Sequence, residues 1–187
     1  YTIRPFNPTD TEYEAVVAVA NAAWPNDQDT VENWKYNDEN RSDAYLYQRF
    51  VVEDMAQKIV AEGACWESDW AYVPGKYIFI VTVHPDYLNQ RIEDLCYEHI
   101  LGFLSKREPK LAALVTYARE DKTSWVQFLN ARGFQVVMRT ANSQLDLLGY
   151  NFSPFEAVQH KVTSQEIELI NLPAIHSRDP DWLQHYY

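Results

Sequence analysis

The chain is short of glycine, with five in 187 residues, and of sulfur, with two cysteines and two methionines; its sixteen basic residues face twenty-seven acidic ones. Each shortage excludes something. A formal charge of −11 repels nucleic acid and anionic membrane, so neither is expected as a partner. Cys65 and Cys96 sit in apolar stretches, as free buried thiols do, and make no disulfide framework. The five histidines are scattered without the spacing of a zinc set, so no metal is expected. No apolar run reaches the roughly 18 residues of a membrane span, and no signal peptide or polybasic tail is visible. A soluble, cytoplasmic protein is expected. The chain opens on Tyr1 rather than Met, which suggests a processed or truncated polypeptide.

What is present is apolar bulk. With 47% apolar and 14% aromatic residues, the chain can bury a real core, and its length suits one ordinary domain plus an extension. Residues 77–83 are β-branched and aromatic almost throughout, the pattern of a strand covered on both faces. Pro85 ends it. From Ile92 the apolar residues Leu95, Cys96, Ile100, Phe103 and Leu104 recur at three- and four-residue steps, which predicts an amphipathic helix. Residues 111–117 form a second apolar run. Two strands separated by one helix cannot pair as a hairpin, so these two should lie parallel, joined by a right-handed crossover.

Around that unit the chain reads in order. Residues 2–6 suit a short strand. Thr9 with Glu12, or Thr11 with Glu14, can open a helix through a capping box, with Tyr13, Val16, Val17, Ala20 and Trp24 on its apolar face. Residues 30–41 suit a second, more polar helix. Residues 45–54 and 58–66 read as strands of an antiparallel meander. Asp121 or Thr123 begins a further helix carrying Trp125, Val126, Phe128 and Leu129, with Gly133 as its left-handed terminator. Residues 134–139 and 143–147 are expected to pair as a final hairpin. The fold class is therefore α/β (α+β), with a mixed, mostly antiparallel sheet, one parallel pair and helices on both faces.

The run Val83-His84-Pro85-Asp86-Tyr87 leading into the Ile92 helix, together with Phe128-Leu129-Asn130-Ala131-Arg132-Gly133-Phe134, resembles the GNAT superfamily of N-acetyltransferases. The resemblance covers residues 2 to about 147. It implies that acetyl is transferred from acetyl-CoA to an amine, on a small molecule or a peptide. It also implies that backbone of Val81, Thr82 and Val83 holds the pantetheine and acetyl carbonyl, and that the loop Asn89, Gln90, Arg91 and Ile92 holds the pyrophosphate at a helix N-terminus. This chain departs from the family at that loop. Arg91 and Glu93 stand where relatives carry the glycines that let backbone approach phosphate. Leu129 stands where many relatives carry a tyrosine proposed to protonate the leaving thiolate, and leucine has no proton to give.

For the base that deprotonates the acceptor, Glu62 on the adjoining strand is the first candidate, with Glu53, His84 and Asp86 behind it. Tyr117 is the candidate donor to the thiolate. The alternative to an enzyme with a degenerate pyrophosphate loop is a non-catalytic GNAT-like domain supporting a second, catalytic one. Residues 1–150 are assigned to the GNAT-like domain and 151–165 to a linker helix. Residues 166–187, with strand character at 167–170 and a helix opening at 179–182, look like the start of a second GNAT-like domain or a C-terminal extension. Such a tail should bury Ile167, Leu169, Leu172 and Trp182 against its own sheet, a second domain or another copy, since an unpaired strand seeks a partner.

Overall fold

Five strands, β1 (Thr2–Pro5), β2 (Tyr47–Glu53), β3 (Ile59–Trp66), β4 (Lys76–Val83) and β5 (Ala113–Val115), form one sheet in that spatial order. They belong to a computed structural model that describes residues 1–187 except Asn142, Gln144, Glu166, Leu169, Pro180 and Tyr187. Strands β1 to β4 run antiparallel, while β4 and β5 are parallel, pairing Lys76, Tyr77 and Ile78 with Ala113, Leu114 and Val115. The crossover between them carries helix α3 (Ile92–Leu104). The mixed sheet with its single parallel pair is thus the one expected.

Alternation along β2 sorts the two faces of the sheet. Phe50 and Val52 belong to apolar clusters with Ile92, Cys96, Ile100 and Leu104 of α3, all four of which are wholly buried. Val51 points the other way, into a cluster with Val16 and Val19 of α1 (Asp10–Ala23). Helices therefore cover both faces. On the α3 side a Cβ at Gly63 would lie 3.3 Å from Ile100 Cδ1, so glycine there lets helix and strand approach closely.

Helix starts follow local chemistry. The Thr9 hydroxyl accepts the Glu12 N–H at 3.4 Å, but the Glu12 carboxylate accepts from the Asn7 N–H and from Arg4 instead of returning to Thr9. Half of the expected box forms. Helix α2 (Val31–Glu39) is capped by Thr30, which accepts the Asn33 N–H at 3.2 Å. Helix α4 (Thr123–Ala131) ends before Gly133, whose φ is +80°.

Three expectations need correction. The strand foreseen over 111–117 shrinks to β5, because Ala112 and Ala113 both donate to Gly75 O at its entry and pairing stops after Val115. The hairpin foreseen over 134–147 is absent among its described residues; its turn lacks the Asn-Gly or Asp-Gly signal, and an isolated two-stranded hairpin is marginal in water. Ile167, Glu168 and Ile170 are not in a strand, and Leu169 lies outside the described residues.

The contact pattern divides the chain into Tyr1–Phe134 and Gln135–Tyr187. The second unit holds α5 (Glu156–Ser164), where a linker helix was expected, then α6 (Leu172–Arg178) and α7 (Trp182–Tyr186). Helix α6 was not foreseen, although Asn171 caps the Ala174 N–H at 2.9 Å and Pro173 sits in the first turn, a start signal readable in the sequence. Ile167 and Leu172 are each 52% exposed, so the burial expected for these two tail residues is not found within the chain.

Candidate functional site

The parallel pair comes apart halfway. Strand β4 runs on to Val83, but its pairing with β5 ends at Ile78 and Val115. From Phe79 onward that edge of β4 has no strand partner among the described residues. Helix α4 bridges the fork: the Trp125 ring lies 6.1 Å from that of Phe79, and its Nε1 donates to Tyr117 O at 3.2 Å. Just past the last paired residue, the Thr116 hydroxyl is shut off from solvent and has no hydrogen-bond partner among the described residues. A buried hydroxyl left in that state costs about 1–3 kcal/mol.

Beyond β4, Pro85–Tyr87 make one 3-10 turn, and Asn89 and Arg91 then take φ of 63° and 60°. Arg91 holds the left-handed conformation immediately before α3, a conformation that favours glycine, so the loop keeps a glycine-like backbone without the glycine. The Ile92 side chain is in the core, leaving only its backbone to face a ligand. Gln90 is exposed and accepts from the Tyr1 hydroxyl. The first turn of α3 carries Glu93 and Asp94. Asp94 is held by Arg91 Nε at 3.1 Å and by Arg132, so a carboxylate already uses the charge a pyrophosphate would need.

On the α1 side of the sheet lies a buried polar cluster. Glu62 of β3 is opposite Thr82 of β4 and Val51 of β2, and it is 2% exposed. Burial pushes its carboxyl up to about 7, against the downward pull of Arg49 and of a hydrogen bond from Thr82. Arg49 Nε stands 3.6 Å from the Glu62 carboxylate, near enough for an ion pair but too far for a hydrogen bond. The rest of its guanidinium is engaged: Nη1 donates to Asp38 at 2.8 Å and Nη2 to the Tyr47 hydroxyl at 2.8 Å. Burial works against the Arg49 charge, but Tyr47, Glu62 and Asp38 outweigh it and keep the guanidinium above its usual value. The Tyr13 hydroxyl donates to the same Asp38 at 2.9 Å, and burial, then Asp38, pushes it up to about 12. An open groove of about 580 Å³, with Phe6, Tyr13, Asp38, Tyr45, Tyr47 and Arg49 among its walls, lies over this cluster.

The structure brings Glu62 and Thr82 together and sets Val81, half-buried, and Val83, buried, on the forked half of β4. Tyr117 follows the fork and is 60% exposed. Glu53 is committed to Arg4 at 2.6 Å, and His84 accepts from the Asp86 N–H at 3.3 Å. Arg49, Asp38, Tyr13 and Thr116 were not singled out from sequence. A lone arginine inside the apolar run of β2 is a usable sign of a buried countercharge; nothing in the sequence distinguishes Thr116. Among the described residues no His/Cys/Asp/Glu group could hold a metal ion.

No protein-family model matches the sequence, and no curated protein matches it. Solved structures do. The ribosomal-protein-S18-alanine N-acetyltransferase from Escherichia coli is 19% identical, with a TM-score of 0.55 over 73% of this chain and 79% of that one. AAC(6')-Iy, in complex with the bisubstrate analogue CoA-S-monomethyl-acetylneamine, is 13% identical, with a TM-score of 0.58 over 78% of this chain and 97% of its own. The aminoglycoside antibiotic 6'-N-acetyltransferase AAC(6')-Ih from Acinetobacter baumannii is 15% identical, with a TM-score of 0.55 over 78% and 98%. Identities this low speak for the backbone alone, and the backbone with its forked parallel pair is the fold of the GNAT N-acetyltransferases.

Proposed function

We propose that the chain is an N-acetyltransferase that moves acetyl from acetyl-CoA to the amine of a small molecule or peptide. The observation that carries this reading is the fork: among the described residues no strand pairs with the edge of β4 from Phe79 to Val83. That open backbone edge fits the amide-bearing pantetheine arm. The pyrophosphate end fits less well, because Asp94 occupies Arg91 and Arg132. The resulting expectation is weak binding, about 10–100-fold poorer than with two glycines in the loop, as loss of one or two charge-assisted contacts implies.

Attack of the neutral amine nitrogen on the thioester carbonyl forms the C–N bond, and the C–S bond breaks with its electron pair on sulfur. Val81, Thr82 and Val83 present backbone to the thioester. Glu62 takes the proton lost by nitrogen, with the Thr82 hydroxyl passing it inward, and Tyr117 at the mouth supplies one to the departing thiolate. A carboxyl near 7 suits a base working near neutrality. Two free, buried cysteines are consistent with a reducing, cytoplasmic setting.

A second reading keeps the fold and drops the chemistry: a GNAT-like unit supporting a catalytic partner, with residues 166–187 beginning a second such domain or meeting another copy. The Glu93 and Asp94 carboxylates at the start of α3 favour it. Calorimetric titration with acetyl-CoA, followed by acetylation assays on a panel of amines, separates the two. The enzyme reading requires binding and a turnover that falls at least about 100-fold in Glu62→Gln. Absence of binding at millimolar acetyl-CoA rejects it.

A further inference from the structure

The groove over the Glu62 cluster already holds a cation of the protein's own. Arg41, in the irregular segment between α2 and β2, lays its guanidinium over the Tyr47 ring at 3.6 Å from the centroid and reaches the Asp38 carboxylate with Nη2 at 3.4 Å. The stack is a close one. The carboxylate contact is not, being longer than the roughly 2.7–2.9 Å of a charge-assisted hydrogen bond. The short bonds of Asp38 go instead to Arg49 and Tyr13, at 2.8 and 2.9 Å. Arg41 is exposed, whereas Tyr47 and Asp38 are half-buried, and an exposed pair of this kind contributes little, so moving Arg41 aside into water costs little. The wall it covers is firmly built. Arg49 fixes both Asp38 and the Tyr47 hydroxyl, and Tyr45, its ring 5.6 Å from that of Tyr72, lines the same groove.

We infer that the groove is a guanidinium site: a ligand's guanidinium takes the place of Arg41 on the Tyr47 ring and against Asp38, and Arg41 competes with it from within the chain. A guanidinium suits the wall better than an ammonium does, because it is planar, stacks on an aromatic face and is weakly hydrated. Glu39 and Asp43, exposed carboxylates that also line the groove, and the formal charge of −11 draw such a cation in. For what the site does, the inference rests on the acetyltransferase reading, and there it names the acceptor class. Arg49 links the cation site to the candidate base, bonded to Asp38 at 2.8 Å and standing 3.6 Å from Glu62. An acceptor whose guanidinium is held at Asp38 therefore carries its amine, on a short chain, towards Glu62. The class is an amine that bears a guanidinium, either a small molecule or an arginine-containing peptide.

Calorimetric titration of the full chain tests this with three probes: agmatine, the dipeptide glycyl-arginine, and putrescine, which has an ammonium where agmatine has a guanidinium. Agmatine, the dipeptide or both should bind, and putrescine about tenfold more weakly than the better of them. Arg41→Ala should tighten guanidinium binding about 3–10-fold by removing the competitor, and Arg41→Gln should do the same. That gain is decisive, since damage to the fold would not produce it. Tyr47→Leu, made in the Arg41→Ala chain, should weaken binding about 3–30-fold by removing the stacking face. Binding of agmatine alone marks a small acceptor, and binding of the dipeptide alone a peptide one. No gain in either Arg41 variant overturns the inference, as do unchanged affinity in the Tyr47→Leu chain, equal binding of putrescine, and failure of both guanidinium probes to bind at millimolar concentration. The two readings fail separately. Guanidinium binding with these dependences but no acetyl-CoA binding keeps the site and removes the enzyme; acetylation of other amines without guanidinium binding keeps the enzyme and removes the site.

Discussion

A single carboxyl, Glu62, joins stability to chemistry. Its folded value near 7 lies above the ordinary 4.5 because burial disfavours the charge more than Arg49 favours it. The fold therefore binds the Glu62 proton more tightly than the unfolded chain does, and this contribution to stability is complete below about pH 4.5 and lost as pH rises through about 7. At 1.36 kcal/mol per unit the whole effect is about 3 kcal/mol at most. Glu62→Gln removes the titration. Its melting temperature relative to the natural chain should rise between pH 5 and pH 8, and a difference that stays flat across that range would mean the carboxyl is not shifted. Glu62 was legible as a charged residue in an apolar strand, since such a residue is either edge-exposed or internally paired. Which of the two holds was not legible, because its partner Arg49 comes from another strand and Arg49's own partner, Asp38, from α2. Thr116 was invisible for a related reason: its distinguishing property is a missing contact, which no local sequence pattern encodes.

At the scale of elements, strands with long apolar runs and helices with a polar cap and a clear stripe were readable, because burial pattern and capping chemistry are local. The parallel pairing of β4 with β5 was readable from connectivity. Its extent was not, since pairing length depends on how the segment entering β5 is held. Gly75 does that holding. Its φ is +76°, its carbonyl accepts from Ala112 and Ala113, and a Cβ placed on it would run into the Lys110 carbonyl oxygen. Gly75→Ala should cost about 3 kcal/mol or more, through left-handed strain and a backbone displacement that disturbs the start of β5. Denaturant unfolding checks this, and a loss under about 1 kcal/mol would show that the turn relaxes freely. Arg91 is the opposite case. It bears the same left-handed geometry on an exposed side chain whose ion-pair partner among the described residues is Asp94, so Arg91→Gly should raise stability by about 1 kcal/mol. An unchanged or lower midpoint would mean that the Asp94 pair outweighs the strain.

For the whole molecule the question is where the folded unit ends. The sequence placed its boundary near residue 150 because a closing hairpin was expected after Gly133; the contact pattern places it after Phe134. Phe134 closes the first unit, its ring 5.8 Å from that of Phe79 and 6.2 Å from that of Tyr97. Directly after it, Val136, Val137 and Met138 are 69%, 89% and 74% exposed, so they bury little apolar surface and add little stability at roughly 25 cal/mol per Å². A chain ending at Arg139 keeps the whole first unit and is expected to melt cooperatively within about 4 °C of the full chain, a shift on the order of 1 kcal/mol or less for a domain of this size. Ending at Gly133 instead removes the half-buried Phe134 ring from the aromatic cluster around Phe79, and loss of its apolar contact costs about 1.5–3 kcal/mol, enough to lower the midpoint by roughly 5–10 °C by the same scaling. Calorimetric melts of the two truncated chains read both results at once. If the longer truncated chain loses its cooperative transition, the sheet depends on residues beyond 139 and the boundary belongs further along; if the two chains melt together, Phe134 is not the closing residue of the domain.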